Sequence, residues 1–248
     1  MRLCQVEAFV LNAKNFREAD KIVTLFTKEQ GKISALAKGI RKIKSKNRGA
    51  LQPFSCSKVM LYKGQERNII TQCELIEGFP GLRKDLEHLS AASYQMELVQ
   101  LLLPEEEKNQ QVYILLSIAL QLLVYEDLEL VTRFFEVKLL NILGYQPELD
   151  ACVLCGQPIQ MGINTFSAAE GGLLCSSCQY NQSQCKKLNG STLAIWKQLQ
   201  KINPRHLNRL KISSNDRIIL KETLADYLEF LLERKLKAAG FMSKLKSI

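Results

Sequence analysis

The chain has 248 residues, of which 46% are hydrophobic and 24% charged, a mixture that excludes a disordered or fibrous protein. At this length one large domain or two ordinary ones can bury a core without disulfide bonds. The formal net charge of +9 is uneven: residues 1–80 carry +8, residues 81–150 carry −7 and residues 151–248 carry +8. Two basic segments around an acidic one favour a polyanionic partner.

The apolar stretches are too short for a membrane protein. Residues 113–124 form one of the longest, and a span needs roughly 20 apolar residues. The first sixteen residues contain no long apolar region and no small-residue cleavage site of a secretion signal. We therefore expect a cytoplasmic protein without a membrane partner.

Residues 1–80 predict five short strands. Strand-forming residues cluster at 6–11, 21–27, 33–37, 59–62 and 69–76, and the glycine-containing turn KEQGK joins the second run to the third. A long connection separates the third strand from the fourth. This pattern favours a small closed barrel of the OB-fold type, and an SH3-like barrel is the alternative.

From residue 81 the apolar spacing becomes helical. We expect helices at 82–101, 110–125 and 128–143, a fourth capped by Ser191, and a last one from about Asn215 that carries Ile218 and Leu236 and ends before Gly240. The fold class is thus α+β multidomain: a five-stranded OB-fold barrel at 1–80, then an all-α domain at 81–248 with an inserted module at about 150–185 that contains four cysteines.

Four of the eight cysteines form two close pairs. Cys152 and Cys155 are followed, after 19 residues, by Cys175 and Cys178. Each C-x2-C turn can direct two thiolates at one ion, and two such turns complete the tetrahedral sulfur shell of structural zinc. We predict one structural Zn²⁺ per chain. A redox-active cysteine pair is the first alternative, but such pairs normally open a helix in a thioredoxin-like βαβ unit, and the sequence shows no such unit here. Catalytic zinc is the second alternative, but its ligands usually include histidine or a carboxylate.

The connection between the third and fourth strands is strongly basic. Six cations occupy eleven positions: Lys38, Arg41, Lys42, Lys44, Lys46 and Arg48. Lysine and arginine on a barrel connection suit the sequence-independent binding of phosphates. Phe16, Phe54 and Tyr62 are candidate stacking platforms, although phenylalanine on a strand is more often part of the core. A solvated surface and a nuclear localisation signal are the alternatives for the basic residues.

The sequence contains no motif of a nucleotide-hydrolysing enzyme or of a serine hydrolase. With only two histidines, it also offers few side chains for acid–base catalysis. We therefore do not expect an enzyme.

Three segments together resemble the RecO family of bacterial recombination mediators. They are AKGIRKIKSKNRGALQPF (37–54), RFFEVKLLNILGYQPELDACVLCG (133–156) and FSAAEGGLLCSSC (166–178). The resemblance implies an OB-fold, a helical domain and a zinc module. It also implies that the protein binds single- and double-stranded DNA and anneals complementary strands. With RecR and the single-stranded-DNA-binding protein SSB, it would help load RecA onto SSB-coated single strands.

The resemblance also implies roles for particular residues. The six cations of 38–48 match the family's DNA-binding stretch. Arg133 matches an arginine beside the pocket for the acidic, phenylalanine-ended tail of SSB, where a guanidinium suits a terminal carboxylate. The alternative for Arg133 is a cation on a helix surface. Two other functions stay open: a zinc-containing protein-interaction adaptor, and an RNA-binding OB-fold protein.

Overall fold

The computed structural model describes residues 3–64, 67–160, 162, 164–179 and 185–236, which fall into two compact units. One unit holds the residues up to Tyr125, and the other holds Glu126–Leu236. Three predicted features lie partly outside the described residues: the fourth barrel connection at positions 65 and 66, the zinc module at positions 161, 163 and 180–184, and the end of the last helix before Gly240.

The first unit contains a closed barrel of five strands. These are β1 Leu3–Phe16, β2 Asp20–Thr27, β3 Gly31–Ala37, β4 Cys56–Lys63 and β5 Asn68–Glu77, ordered β1-β2-β3-β5-β4 and closed by β1 pairing with β4. Within the described residues of these five strands, β3 and β5 are the one parallel pair. This arrangement is OB-like, so the predicted fold is confirmed over its SH3-like alternative.

Strand β1 pairs with two neighbouring strands because it is long and has an irregularity in its middle. Its first half pairs with β4 and its second half with β2, and the register to β2 shifts between Val10 and Asn12. Such a bulge increases bending and twist, which a small closed barrel requires. Val6, Ala8 and Val10 alternate along β1 into the barrel core.

Two helices complete this unit, and both pack with the barrel. A 3-10 turn at Pro80–Arg83 precedes α1 Leu86–Leu102, and α2 spans Gln110–Tyr125. Asp85 caps α1 by accepting a hydrogen bond from the His88 N–H, so the helix begins later than the predicted residue 82. The Tyr113 ring lies 4.9 Å from that of Phe9, and its hydroxyl donates to Glu7 at 3.0 Å.

The second unit combines three helices with a small sheet that the sequence did not predict. In chain order it contains α3 Leu128–Ile142, β6 Asn164–Ser167, β7 Gly172–Leu174, β8 Cys185–Leu188, α4 Gly190–Lys201, a 3-10 helix at Pro204–Arg209, and α5 Ser214–Leu232. The strands are antiparallel in the order β7-β6-β8. Phe166 of β6 packs against Trp196 and Tyr227, with ring centroids 5.4 and 5.6 Å away.

Two details of these helices correct the expectation. Asn189, not Ser191, caps α4, because its side chain accepts from the Thr192 N–H at 2.7 Å while the Ser191 hydroxyl donates to Asp216. Helix α5 ends at Leu232, before Leu236, and Ile218 is 56% exposed instead of buried. Among the described helices, none combines the length and apolar character that a membrane span requires.

Candidate nucleic-acid interface and metal centre

The basic loop, defined here as residues 38–55 between β3 and β4, presents all its predicted cations to solvent. Lys38, Arg41, Lys42, Lys44, Lys46 and Arg48 are each exposed. Within the described part of the chain, none of them forms an ion pair with a carboxylate. A row of accessible cations without protein counter-charges can bind an external polyanion.

The loop is held on the barrel by apolar anchors at both ends. Ile40 and Leu51 belong to the barrel core, and Ala50 and Phe54 are also buried. These buried side chains fix the loop on the barrel, while the cations of the loop remain exposed to solvent.

Hydrogen bonds fix the path of the loop between the anchors. The Gly39 N–H donates to the Asp20 carboxylate at 2.7 Å, and the Cys73 N–H donates to the Asn47 side chain at 3.2 Å. Gly39 has a φ of 63°, a left-handed conformation that glycine adopts without strain.

An arginine-flanked aromatic ring lies near the start of the basic loop. The guanidinium groups of Arg17 and Arg67 are 5.2 and 5.4 Å from the ring centroid of Phe16, and Arg41 donates to the Arg17 carbonyl at 3.3 Å. Half-buried Phe16 therefore remains a candidate base platform. Phe54 is 9% exposed and forms part of the core.

Sequence reasoning missed one exposed apolar side chain in this loop. Ile43 lies between Lys42 and Lys44 and is 93% exposed. Single exposed apolar side chains are common on protein surfaces, so Ile43 is of interest because it lies inside a row of cations and not because of its exposure alone. In the sequence, Ile40 and Ile43 are both isoleucines within the cationic run. The sequence therefore does not tell which of them is buried and which is exposed.

The structure brings the four predicted metal ligands together in the second unit. The sulfur atoms of Cys152, Cys155, Cys175 and Cys178 all lie within 4.8 Å of one another, and the Cys155 and Cys175 sulfurs are 3.6 Å apart. A tetrahedral zinc with Zn–S bonds of about 2.3 Å places its sulfurs about 3.8 Å apart. The four cysteines can therefore bind a metal ion.

Local backbone turns aim these thiols at one point. The Gly156 N–H donates to the Cys152 carbonyl at 2.8 Å, with Gly156 at a φ of 73°, and the Cys178 N–H donates to the Cys175 carbonyl at 3.1 Å. Strand β7 leads into Cys175 and is bonded directly to the first turn, because the Val153 N–H donates to the Leu173 carbonyl at 3.0 Å; Leu173 in turn donates to the Glu148 carbonyl. A Cβ on Gly172 would lie 2.6 Å from the Glu148 carbonyl oxygen, so this close approach requires glycine.

The environment of the quartet divides its thiols into two kinds. Burial opposes ionisation of Cys152, yet backbone N–H groups of Cys175 and Cys155 outweigh it and lower its pKa to about 6. The backbone N–H of Cys178 lowers the pKa of Cys175, whereas the hydrogen bond with the Cys175 sulfur raises the pKa of Cys178 to about 12. A bound cation would favour the thiolate form of all four cysteines and displace the remaining protons.

Arg133 lies in the second turn of α3, and its side chain is buried. It is 5% exposed, pairs with the buried Glu136 at 2.9 Å, and donates to the Lys221 carbonyl of α5 at 3.4 Å. Its role in binding a partner stays a prediction. The structure does not place it on an open helix surface, which was the alternative.

Comparisons with known proteins agree with this architecture. The family model for the N-terminal part of recombination protein O matches residues 1–79, and the model for its C-terminal part matches residues 83–239. The two matches meet where the barrel strands give way to helices.

Full-length relatives carry the same description. The DNA repair protein RecO of Desulforamulus reducens is 38% identical over 99% of this chain and 96% of its own length, and that of Pelotomaculum thermopropionicum is 38% identical over 98% and 95%. The RecO protein of Symbiobacterium thermophilum is 35% identical over the whole of this chain and 99% of its own. The chain therefore belongs to the RecO family of DNA repair proteins.

Proposed function

We propose that this chain binds single- and double-stranded DNA through the basic loop and anneals complementary strands. With RecR and SSB it would help load RecA onto SSB-coated single strands, in the cytoplasm at the nucleoid. The observation that carries the DNA-binding role is the row of six exposed cations on a loop anchored by buried side chains. The partner roles rest on membership of the family alone.

The electrostatics of the loop support backbone binding. Each phosphate neutralised by a lysine or arginine releases condensed counterions, so affinity falls as salt rises. If all six cations contact phosphates of a single strand, the plot of log affinity against log salt has a slope of about −4, at about 0.7 per contact. Such binding does not depend on sequence, as an annealing protein requires.

Annealing itself needs no covalent chemistry. Two strands repel each other through their phosphates, and a cationic surface reduces this repulsion while leaving the base edges free. Exposed Ile43 and half-buried Phe16 can contact bases of a single strand in addition. We therefore assign the chain a mediator role and not an enzymatic one.

We assign Zn²⁺ to the cysteine quartet, as a structural ion. Four sulfurs complete a tetrahedral shell, which leaves no position for a substrate. The ion would hold the turn at 152–156 to the end of β7. Its contribution would be folding energy and not reaction chemistry.

A site beside Arg133 for the acidic tail of SSB belongs to the same proposal. Its support is the match of residues 133–156 to the family. Because the guanidinium already pairs with buried Glu136, an incoming terminal carboxylate would have to share or displace this pair.

The test combines strand binding with annealing. Replacing Lys42, Lys44 and Lys46 by alanine should weaken binding of a labelled oligonucleotide, reduce the salt slope by about 2, and slow annealing of SSB-coated complementary strands. The matched control replaces Lys58, Lys84 and Lys108, three exposed lysines of the same unit outside the loop. Equal losses in both variants would show general charge attraction, and tighter binding of RNA of equal length would favour the RNA-binding alternative.

A further inference from the structure

We propose that the second unit carries a separate site for the phosphodiester backbone of a nucleic-acid strand, in a cavity between the end of α4 and the 3-10 helix at Pro204–Arg209. This inference deepens the proposed function, on which it rests for the nature of the ligand. It adds a second surface that neither the basic loop nor the metal centre provides.

The sequence around this cavity contains no acid. Residues 171–215 include seven lysines and arginines and neither aspartate nor glutamate over 45 positions. In a chain that is 24% charged overall, with 25 acids, such a segment creates a local positive field.

The cavity has a volume of about 350 Å³ and a mixed lining, in which the apolar side chains of Ile202 and Leu210 accompany polar and cationic ones. Its walls include Lys201, His206 and Arg209 with the amides of Gln198 and Asn203. A 3-10 helix has three residues per turn, so Asn203, His206 and Arg209 share one face. Leu207 and Leu210 are buried and hold that helix against the unit.

Several cations of the unit have a protein counter-charge, whereas those at the cavity have none among the described residues. Lys186 pairs with Glu222, Lys197 with Asp150, and Arg217 with Asp127, at 2.6–3.0 Å. Lys201, Arg205, Arg209 and Lys211 are exposed and, among the described residues, pair with no carboxylate. Exposed cations gathered at one concave site without counter-charges are available to an anion.

The chemistry of the lining favours phosphate. An arginine fork and a lysine ammonium bind phosphate oxygens through charge-assisted hydrogen bonds, and the two amides can add neutral ones. Arg205 and Lys211 lie on the same cationic segment outside the cavity lining, which suits a continuous backbone better than an isolated ion. One chain would then hold one strand at the basic loop and another at this cavity.

The experiment measures oligonucleotide binding to the full chain in the background that lacks Lys42, Lys44 and Lys46. Adding Lys201→Ala and Arg209→Ala should lower the remaining affinity by about tenfold or more at low salt and reduce the salt slope by about 1.4, for two lost contacts. The matched control adds Arg234→Ala and Lys235→Ala, which remove the same kinds of charge from exposed positions of the same unit. Equal effects of the two pairs, or no effect of the first, would overturn the proposal.

A substitution that adds a negative charge gives a second readout. Gln198→Glu places a carboxylate in the cavity lining and should also weaken binding, and unchanged melting temperatures would show that the variants fold. If pyrophosphate competes as well as an oligonucleotide of any length, the cavity takes small phosphates only and the strand assignment is wrong. The variant with Lys201→Ala and Arg209→Ala is also tested with an intact basic loop. The role of the loop is then judged from the triple lysine variant alone, and the role of the cavity from the Lys201 and Arg209 variant alone.

Discussion

The carboxylate of Asp20 accepts a 2.7 Å hydrogen bond from the backbone N–H of Gly39, and this contact ties the start of the basic loop to the start of β2. An acidic side chain therefore orders a loop whose own side chains are cationic. Its charge and its hydrogen bond have opposite expected effects on DNA binding, because the charge repels phosphates while the bond orders the loop before binding.

Two substitutions at Asp20 separate these effects. Asp20→Asn removes the charge and keeps an acceptor, so we expect DNA affinity equal to or above that of the unmodified protein. Asp20→Ala removes both, and we expect affinity about fivefold below that of the asparagine variant, or about 1 kcal/mol. Anisotropy titrations at one salt concentration measure the difference. Indistinguishable variants would show that loop order does not contribute.

Ile43 provides a test of apolar contact with bases. Ile43→Ser should weaken single-strand binding by about fivefold, since roughly 1 kcal/mol of apolar burial is lost, and should leave the salt slope unchanged. Ile114→Ser is the control, because Ile114 is an exposed isoleucine of the same unit on α2. A changed slope, or an equal loss in the control, would contradict a base contact.

Lys32 is expected to stabilise the first unit and not to bind DNA. Its ammonium is buried and donates to the carbonyls of Gln100 and Leu103 at the end of α1, at 2.6 and 2.7 Å. Lys32→Met should lower the free energy of unfolding by about 3 kcal/mol, because two charge-assisted hydrogen bonds are lost. Urea titration measures this, and Lys58→Met, at an exposed position, should change stability little. If Lys32→Met and Lys58→Met lower the free energy of unfolding equally, the stabilising role of Lys32 is contradicted.

Removing the metal should affect the second unit selectively. Chelation, or Cys152→Ser, should lower the melting temperature of that unit and make the remaining thiols reactive. Affinity and salt slope at the basic loop should stay unchanged. Cys185→Ser is the control, since Cys185 lies in the same unit outside the quartet. Metal analysis showing less than half an equivalent of zinc, with four free thiols, would contradict a zinc site.

The buried pair of Arg133 and Glu136 predicts non-additive stability. Arg133→Ala removes the counter-charge of a fully buried carboxylate and should cost about 3 kcal/mol or more, whereas Arg133→Met combined with Glu136→Leu should cost much less. Denaturant titration of the two variants measures the difference. If the double variant costs as much as Arg133→Ala or more, the 2.9 Å contact contributes no coupling.

Several features could be predicted from the sequence because each depends on neighbours along the chain. The cysteine quartet follows from two tight turns, each of which determines the direction of its own pair of thiols. Helix α2 begins and ends at the predicted residues, Gln110 and Tyr125, since its apolar spacing is continuous. The cationic run is a property of composition, and its exposure follows from the cost of burying unpaired charge.

Other features depend on which segments meet in space. Ser191 and Asn189 are both good helix-capping residues, and only the position of Asp216 makes Ser191 a donor to another helix. In the sequence, Arg133 and Lys32 resemble surface cations, but both are buried. Arg133 pairs with Glu136 one turn along α3 and donates to the Lys221 carbonyl of α5, and Lys32 donates to two carbonyls at the end of α1.

The sequence by itself determined the kind of chemistry this protein can perform, because charge and sulfur are properties of single residues and short spacings. Only the tertiary structure decided which cations are available. An isolated stretch cannot show whether a lysine already has a carboxylate or a carbonyl beside it, since that partner can lie far away in the chain.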